Sequence, residues 1–311
     1  MTTVDDMLYH LGGIPVLTGI PFSGKSLAWF VDPVNGDDTF NGDTPDQAKA
    51  TLAAAYALTT ANQHDVVFFI SGADAIVPTA TLTWANDYTH LIGISTPLPG
   101  VGQRCRVEAQ AANDVVSVIT WSSDGSICAN MQFTNLSDAN VDSGAVVVSG
   151  HRNAFINCMM YGMGSTTPAA RAGSYSATVS GVENHFNRCY IGGDTILRAA
   201  ANAELVMSGS KNSFWDCTFS MQSETSGKFA VSVSGAGTNE WKDCLFINKS
   251  TNWATTLTDV FNVTASSTHH IVLRGACQAV GFTGWGDTVT HIYGSGPAVD
   301  AGFGISTNPT G

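Results

Sequence analysis

The chain is poor in charge. Only 12 % of its 311 residues are charged, and 13 Lys and Arg stand against 25 Asp and Glu, a formal net charge of −12. A nucleic-acid backbone would be repelled rather than gathered, so nucleic acid is not an expected partner. Disorder is excluded too, because disordered chains combine high charge with few apolar residues, and here 44 % are hydrophobic. No uncharged apolar run approaches the roughly 18 residues of a membrane helix, so no membrane is expected either. The opening MTTVDDMLYHLGG has no Lys or Arg ahead of an apolar segment, and the expectation is a soluble protein without a secretory signal. Cysteine is sparse: its seven copies are widely spaced and never form a C-x-x-C pair, which suits neither a dense disulfide framework nor a zinc site.

One stretch imitates a nucleotide loop. GIPFSGKS, residues 19 to 26, places Gly19, Gly24, Lys25 and Ser26 on the fixed positions of G-x-x-x-x-G-K-[ST]. That pattern cradles phosphate only where a strand feeds it and a helix leaves it. After Ser26 the chain reads LAWFVDPVNGDD, an aromatic, β-leaning run that breaks at Pro33, and Pro21 removes an N–H from the supposed cradle. The stretch reads as a Gly/Pro lead-in to a first strand, and no cofactor is expected.

What the chain does have is a repeat. VVVSGHRNAFINCMM, ATVSGVENHFNRCYI, LVMSGSKNSFWDCTF and VSVSGAGTNEWKDCLF each carry Ser-Gly, then Asn, an aromatic and Cys. The asparagines are Asn153, Asn184, Asn212 and Asn239; the aromatics Phe155, Phe186, Phe214 and Trp241; the cysteines Cys158, Cys189, Cys217 and Cys244. A weaker copy, GSICANMQF, puts Cys128 in the aromatic place and Met131 in the cysteine place, and the interval between copies is 26 to 33 residues. Apolar residues alternate on both sides of the Ser-Gly turn, as in Val146 and Val148 followed by Cys158 and Met160, and that period of two means short strands with one buried face.

One such unit cannot close its own core, so copies must stack, each strand pairing with its counterpart one coil away. The predicted fold is all-β, a right-handed, single-stranded parallel β-helix. About eight coils at roughly 4.8 Å each would make a rod on the order of 40 Å long. In-register stacking sets the cysteines, aromatics and asparagines into structural ladders, the amides passing hydrogen bonds along the stack. The thiols then act as small buried hydrophobes rather than reactive groups. A helix over about residues 45–61 is expected to cap the open N-terminal end, with Thr44 as N-cap, Pro45 at the first position and Gln47 at the reciprocal place. The solenoid domain, helix included, is placed at residues 30–296, a docking or strap segment at 1–29, and a C-terminal tail at 297–311.

WFVDPVNGDDTFNGDTPDQAKATLAAAYAL resembles the opening of many right-handed β-helix proteins, with a solenoid similar to that of pectate lyases. With DDMLYHLGGIPV and the S-G-x-x-N-x-F-x-x-C coils, nearly the whole chain resembles β-helix virion structural proteins of tailed bacteriophages. The resemblance implies a capsid decoration protein on the phage head surface, made in the host cytoplasm. It further implies a homotrimer that stabilises the shell through contacts with the major capsid protein or other virion proteins, without enzymatic activity.

The alternative is a tailspike-like protein that binds or depolymerises polysaccharide. Its best candidates lie in the column just before the cysteines: Asn157, Arg188, Asp216 and Asp243. Asp216 and Asp243 fall on successive coils about 5 Å apart, the separation of a retaining glycosidase pair; as a surface ladder, Arg188 would simply neutralise Asp216. His269 and His270 are adjacent, so a strand points them to opposite faces, and they read with His151 and His185 as surface imidazoles. NGDDTFNGD offers Asp37, Asp38 and Asp43 to calcium but misses the D-x-[DN]-x-[DN]-G order and reads as a turn; no metal is expected.

Overall fold

The computed structural model describes residues 25–96, 105–138, 140–201, 203–251, 255–264, 268–286 and 291–294. Most of the expected N-terminal docking segment and all of the expected C-terminal tail lie outside these residues. The fold is a right-handed parallel β-solenoid of about seven turns. Its strands form three parallel sheets of ten, eight and seven strands, each strand bonded to its equivalent one coil away. One coil shows the path. Strand Gly144–Val148 belongs to the eight-stranded sheet, Ala154–Ile156 to the ten-stranded sheet and Met159–Tyr161 to the seven-stranded sheet. A long loop then returns the chain to the eight-stranded sheet at Ala177–Val179.

Each corner has its own cause. At the Ser-Gly corner the coils approach so closely that a Cβ on Gly181 would lie 1.8 Å from the carbonyl oxygen of Gly150, which is why glycine recurs there. The next corner is a single left-handed residue: Asn157, Arg188, Asp216 and Asp243 have φ of 52, 51, 53 and 53°. Short polar side chains tolerate that conformation best, so the Asn/Asp bias of this column is first a backbone requirement.

The register superimposes like residues. Phe155, Phe186, Phe214 and Trp241 are aligned across four strands, with successive ring centroids 4.9, 4.6 and 5.3 Å apart and planes within 9°. Beside them, the buried thiols of Cys189, Cys217 and Cys244 donate to the carbonyl oxygens of Phe155, Phe186 and Phe214 at 3.3, 3.5 and 3.2 Å. Cys158 donates likewise to Cys128 (3.4 Å), and all these cysteines are free thiols. Burial pushes the thiols of Cys189 and Cys217 up. In the asparagine ladder, the backbone N–H groups of Asn153, Asn184 and Asn212 donate to Oδ1 of Asn184, Asn212 and Asn239 at 2.9, 2.9 and 2.7 Å.

The N-terminal cap differs from the expected helix. A 3-10 turn, Pro45–Gln47, is separated from a short α-helix, Leu52–Tyr56, and Thr44 makes no capping hydrogen bond. Ala48 is extended (ψ 148°), and Lys49 bridges to Val31 in the first strand, so the chain is drawn into strand-like pairing before it can continue as helix. Thr51 is the true N-cap and accepts from the Ala54 N–H at 3.2 Å.

The expectation of surface imidazoles is also corrected. His269 is fully buried, and its Nε2 bonds Asn239 Nδ2, so it takes the place of the next amide in the ladder. Where the chain returns to the eight-stranded sheet there is a feature the repeat did not reveal, an ion pair between Arg198 in the loop and Glu204 in the strand Ala203–Met207, with both side chains fully buried (2.6 Å). Ser176 Oγ donates to the second carboxylate oxygen at 2.6 Å, and the guanidinium also donates to the carbonyls of Ile196 (2.7 Å) and Gly193 (3.0 Å).

Candidate functional site

Of the phosphate-loop pattern, only Lys25 and Ser26 fall among the described residues. Ser26 is buried and its hydroxyl donates to the Gln63 carbonyl at 2.8 Å, while Gly19 and Gly24 lie outside the described residues. The acidic turn is likewise committed to local bonds: Asp37 accepts from the N–H and hydroxyl of Thr39 (2.8 and 2.7 Å), and Asp38 from those of Thr51 (2.9 and 2.8 Å). Among the described residues, no group of three or more His, Cys, Asp or Glu side chains is placed to hold a metal ion.

The carboxylate column stands on an exposed corner. Asp216 and Asp243 are solvent-exposed on successive coils, and Asp243 Oδ1 accepts from the Ala276 N–H at 2.7 Å. Arg188, the neighbour expected to neutralise Asp216, donates instead to Asn187 Oδ1 at 3.3 Å.

Adjoining this corner, the outer face of the ten-stranded sheet carries a set of side chains that the repeat alone did not single out. Asn187, Trp215, Lys242 and Arg274 form one outward column across successive coils, and His185, Ser213 and Glu240 form the next. Trp215 is 37 % exposed, among the few large apolar side chains the solenoid leaves in water. Its indole N–H donates to Glu240 Oε1 (3.1 Å), Lys242 Nζ lies 4.9 Å from its ring centroid, and His185 meets it edge-on at 4.8 Å. Arg274 Nη1 pairs with Glu240 Oε2 at 3.0 Å.

The Ser213–His185 contact, 2.8 Å between Oγ and Nδ1, invites comparison with a nucleophile and its base. The surrounding network assigns it otherwise. Asn187 Oδ1 accepts from Arg188 and Asn187 Nδ2 faces His185 Nε2 at 3.5 Å; the tautomer that fits this orientation has its proton on Nδ1 and donates to the serine rather than accepting from it. Burial lowers the basicity of His185, opposed by the charge of Glu240. The signal that sequence reading passed over was Trp215, beside the candidate Asp216: in the outward position where other coils carry Ile156, Asn187 and Lys242, one coil carries an indole.

No family model matches the sequence, and no curated protein does. Solved structures match in fold. A pectin methylesterase from Aspergillus niger gives a TM-score of 0.51 at 15 % identity, covering 90 % of this chain and 88 % of that one. A pectin methylesterase in complex with a hexasaccharide gives 0.51 at 14 % identity, covering 88 % and 81 %. The Dettilon tailspike protein gives 0.46 at 13 % identity, covering 83 % of this chain and 55 % of the tailspike. At these identities the likeness to the pectin methylesterases is one of fold.

The comparison corrects one expectation outright. The chain was expected not to be an enzyme, yet the proteins whose fold it shares include pectin methylesterases. The phage resemblance has no support from a sequence family.

Proposed function

We propose that this protein binds polysaccharide on the outside of its solenoid, as a tailspike-like binding or depolymerising β-helix. The observation that carries the reading is the exposed indole of Trp215 set among hydrogen-bonding side chains that face solvent. Sugars present an apolar ring face and an equatorial rim of hydroxyls; an exposed indole supports the first, and mixed donors and acceptors serve the second. The fold neighbour that holds a hexasaccharide lends a precedent for a glycan on such a scaffold. Asp216 and Asp243, one coil apart beside the patch, are the candidate acid and nucleophile if the bound chain is also cut, since strand spacing of about 4.8 Å matches the roughly 5 Å of a retaining pair. The test is retention of the full chain on a panel of immobilised polysaccharides, followed by a reducing-end assay on any that bind. Retention by at least one polysaccharide is expected, with any release of reducing ends lost in Asp216→Asn and Asp243→Asn; a panel with no retention contradicts the reading.

A second reading, a virion protein decorating the phage head as a homotrimer against the major capsid protein, is favoured by the eight-stranded sheet. Thr120, Val147, Thr178, Val206, Ser232 and Asn262 form its outward column without a single charge, a surface along which copies of an acidic chain can approach. Density on the head lattice of purified particles is expected if this reading holds; density only at the tail tip removes it.

A further inference from the structure

Resting on the polysaccharide reading, we infer that the ligand is an uncharged glycan lying parallel to the solenoid axis over Asn187, Trp215, Lys242 and Arg274, one sugar unit per coil. Direction follows from the register. These four residues are mutual neighbours on successive parallel strands of one sheet, so the groups able to contact a chain repeat along the axis at the strand spacing of about 4.8 Å. An extended pyranose unit has nearly the same length, and a glycan laid along the column stays in step with it. A chain laid across the coils at Trp215 would instead leave the indole within one or two units, because the strands His185–Asn187 and Ser213–Trp215 offer only two outward positions each before the corner.

The charge state follows from counting what faces the column. Arg188, Lys242 and Arg274 are matched by Glu240, Asp216 and Asp243, and Glu240 sits centrally, joined to both Trp215 and Arg274. A sugar carboxylate would meet Glu240, and an amino sugar would meet Lys242 and Arg274. An uncharged sugar meets donors from Lys242, Arg274 and Asn187, an acceptor in Glu240, and the indole once Lys242 Nζ, which lies over the ring at 4.9 Å, turns aside to the sugar hydroxyls. Asn187, His185 and Ser213 already hold one another, so the first unit is seated on an ordered surface.

Calorimetric titration of the full chain with neutral and acidic oligosaccharides of increasing length tests the assignment. Affinity for the neutral series is expected to rise with each unit up to about four, then level off, and to change little between about 0.05 and 0.5 M salt. Trp215→Ala is expected to weaken every length by about tenfold or more, and Asn187→Ala to weaken only the longer ones. Thr178→Tyr, on the outer face of the eight-stranded sheet, is expected to bind like the parent. Binding that is indifferent to Trp215→Ala, independent of length, or confined to acidic glycans and lost in salt overturns this assignment while leaving glycan binding standing. No binding to any member of either series overturns both. Both site substitutions are at outward positions, and unchanged circular dichroism would separate lost binding from lost fold.

Discussion

Asn184 joins three coils by itself. Its Oδ1 accepts from the backbone and side-chain N–H groups of Asn153 (2.9 and 3.1 Å), and its Nδ2 donates to the Gly150 carbonyl at 3.0 Å and to Asn212 Oδ1 at 3.2 Å. Truncating it strands buried partners on both sides, so Asn184→Ala is expected to destabilise by about 2–4 kcal/mol in urea unfolding, more than an ordinary hydrogen bond is worth. At the N-terminal end of the same sheet, His90 is fully buried: its Nδ1 accepts from the Ile127 N–H (3.0 Å), and its Nε2 faces His64 Nδ1 at 3.2 Å. Burial, with His64 adding repulsion, pushes the imidazole down to about 3. The unfolded state therefore takes up a proton near the ordinary histidine value of about 6.5, where the folded state does not. Stability contributed by this residue is complete above that pH and is lost progressively as pH falls toward 3, by several kcal/mol at about 1.4 kcal/mol per unit. Urea unfolding at neutral and mildly acid pH should show this slope in the parent and a shallower one in His90→Gln; equal slopes would assign the acid sensitivity elsewhere.

Among the elements, the strands were legible and the cap and loops were not. Val146, Val148, Cys158 and Met160 announce their strands because a period of two survives wherever one face is buried. The expected helix of residues 45–61 failed because helix propensity and a capping motif are local, whereas pairing of Lys49 with Val31 is not. The same limit hid the loop between the seven- and eight-stranded sheets, whose Arg198 pairs with Glu204 of the strand that follows, near in sequence but without a motif. That ion pair is the loop's weak point. Glu204→Gln removes the partner of a buried guanidinium and is expected to cost about 3–5 kcal/mol, whereas replacing Arg198 and Glu204 together by apolar residues of similar volume should cost much less. Thermal unfolding of the two variants side by side distinguishes a stabilising pair from a mutually compensated one.

At the scale of the whole molecule, the repeat dictates the rod, and the site is a departure from the repeat. Cys158, Cys189, Cys217 and Cys244 could be read because stacking makes identical residues neighbours. Trp215, Lys242 and Arg274 could not, because outward positions obey no packing rule and function there is written in residues that differ from coil to coil. The left-handed corner explains why Asp216 and Asp243 caught the eye first: Asn and Asp are favoured there by the backbone whether or not chemistry follows. If the protein binds glycan, the outer face of the ten-stranded sheet is where the glycan lies. Crystals of the protein soaked with a neutral tetrasaccharide test it most directly. The account predicts a chain of sugar density running along the axis from Asn187 to Arg274, with one ring stacked on the indole of Trp215; sugar density on the eight-stranded face with that indole bare would contradict it.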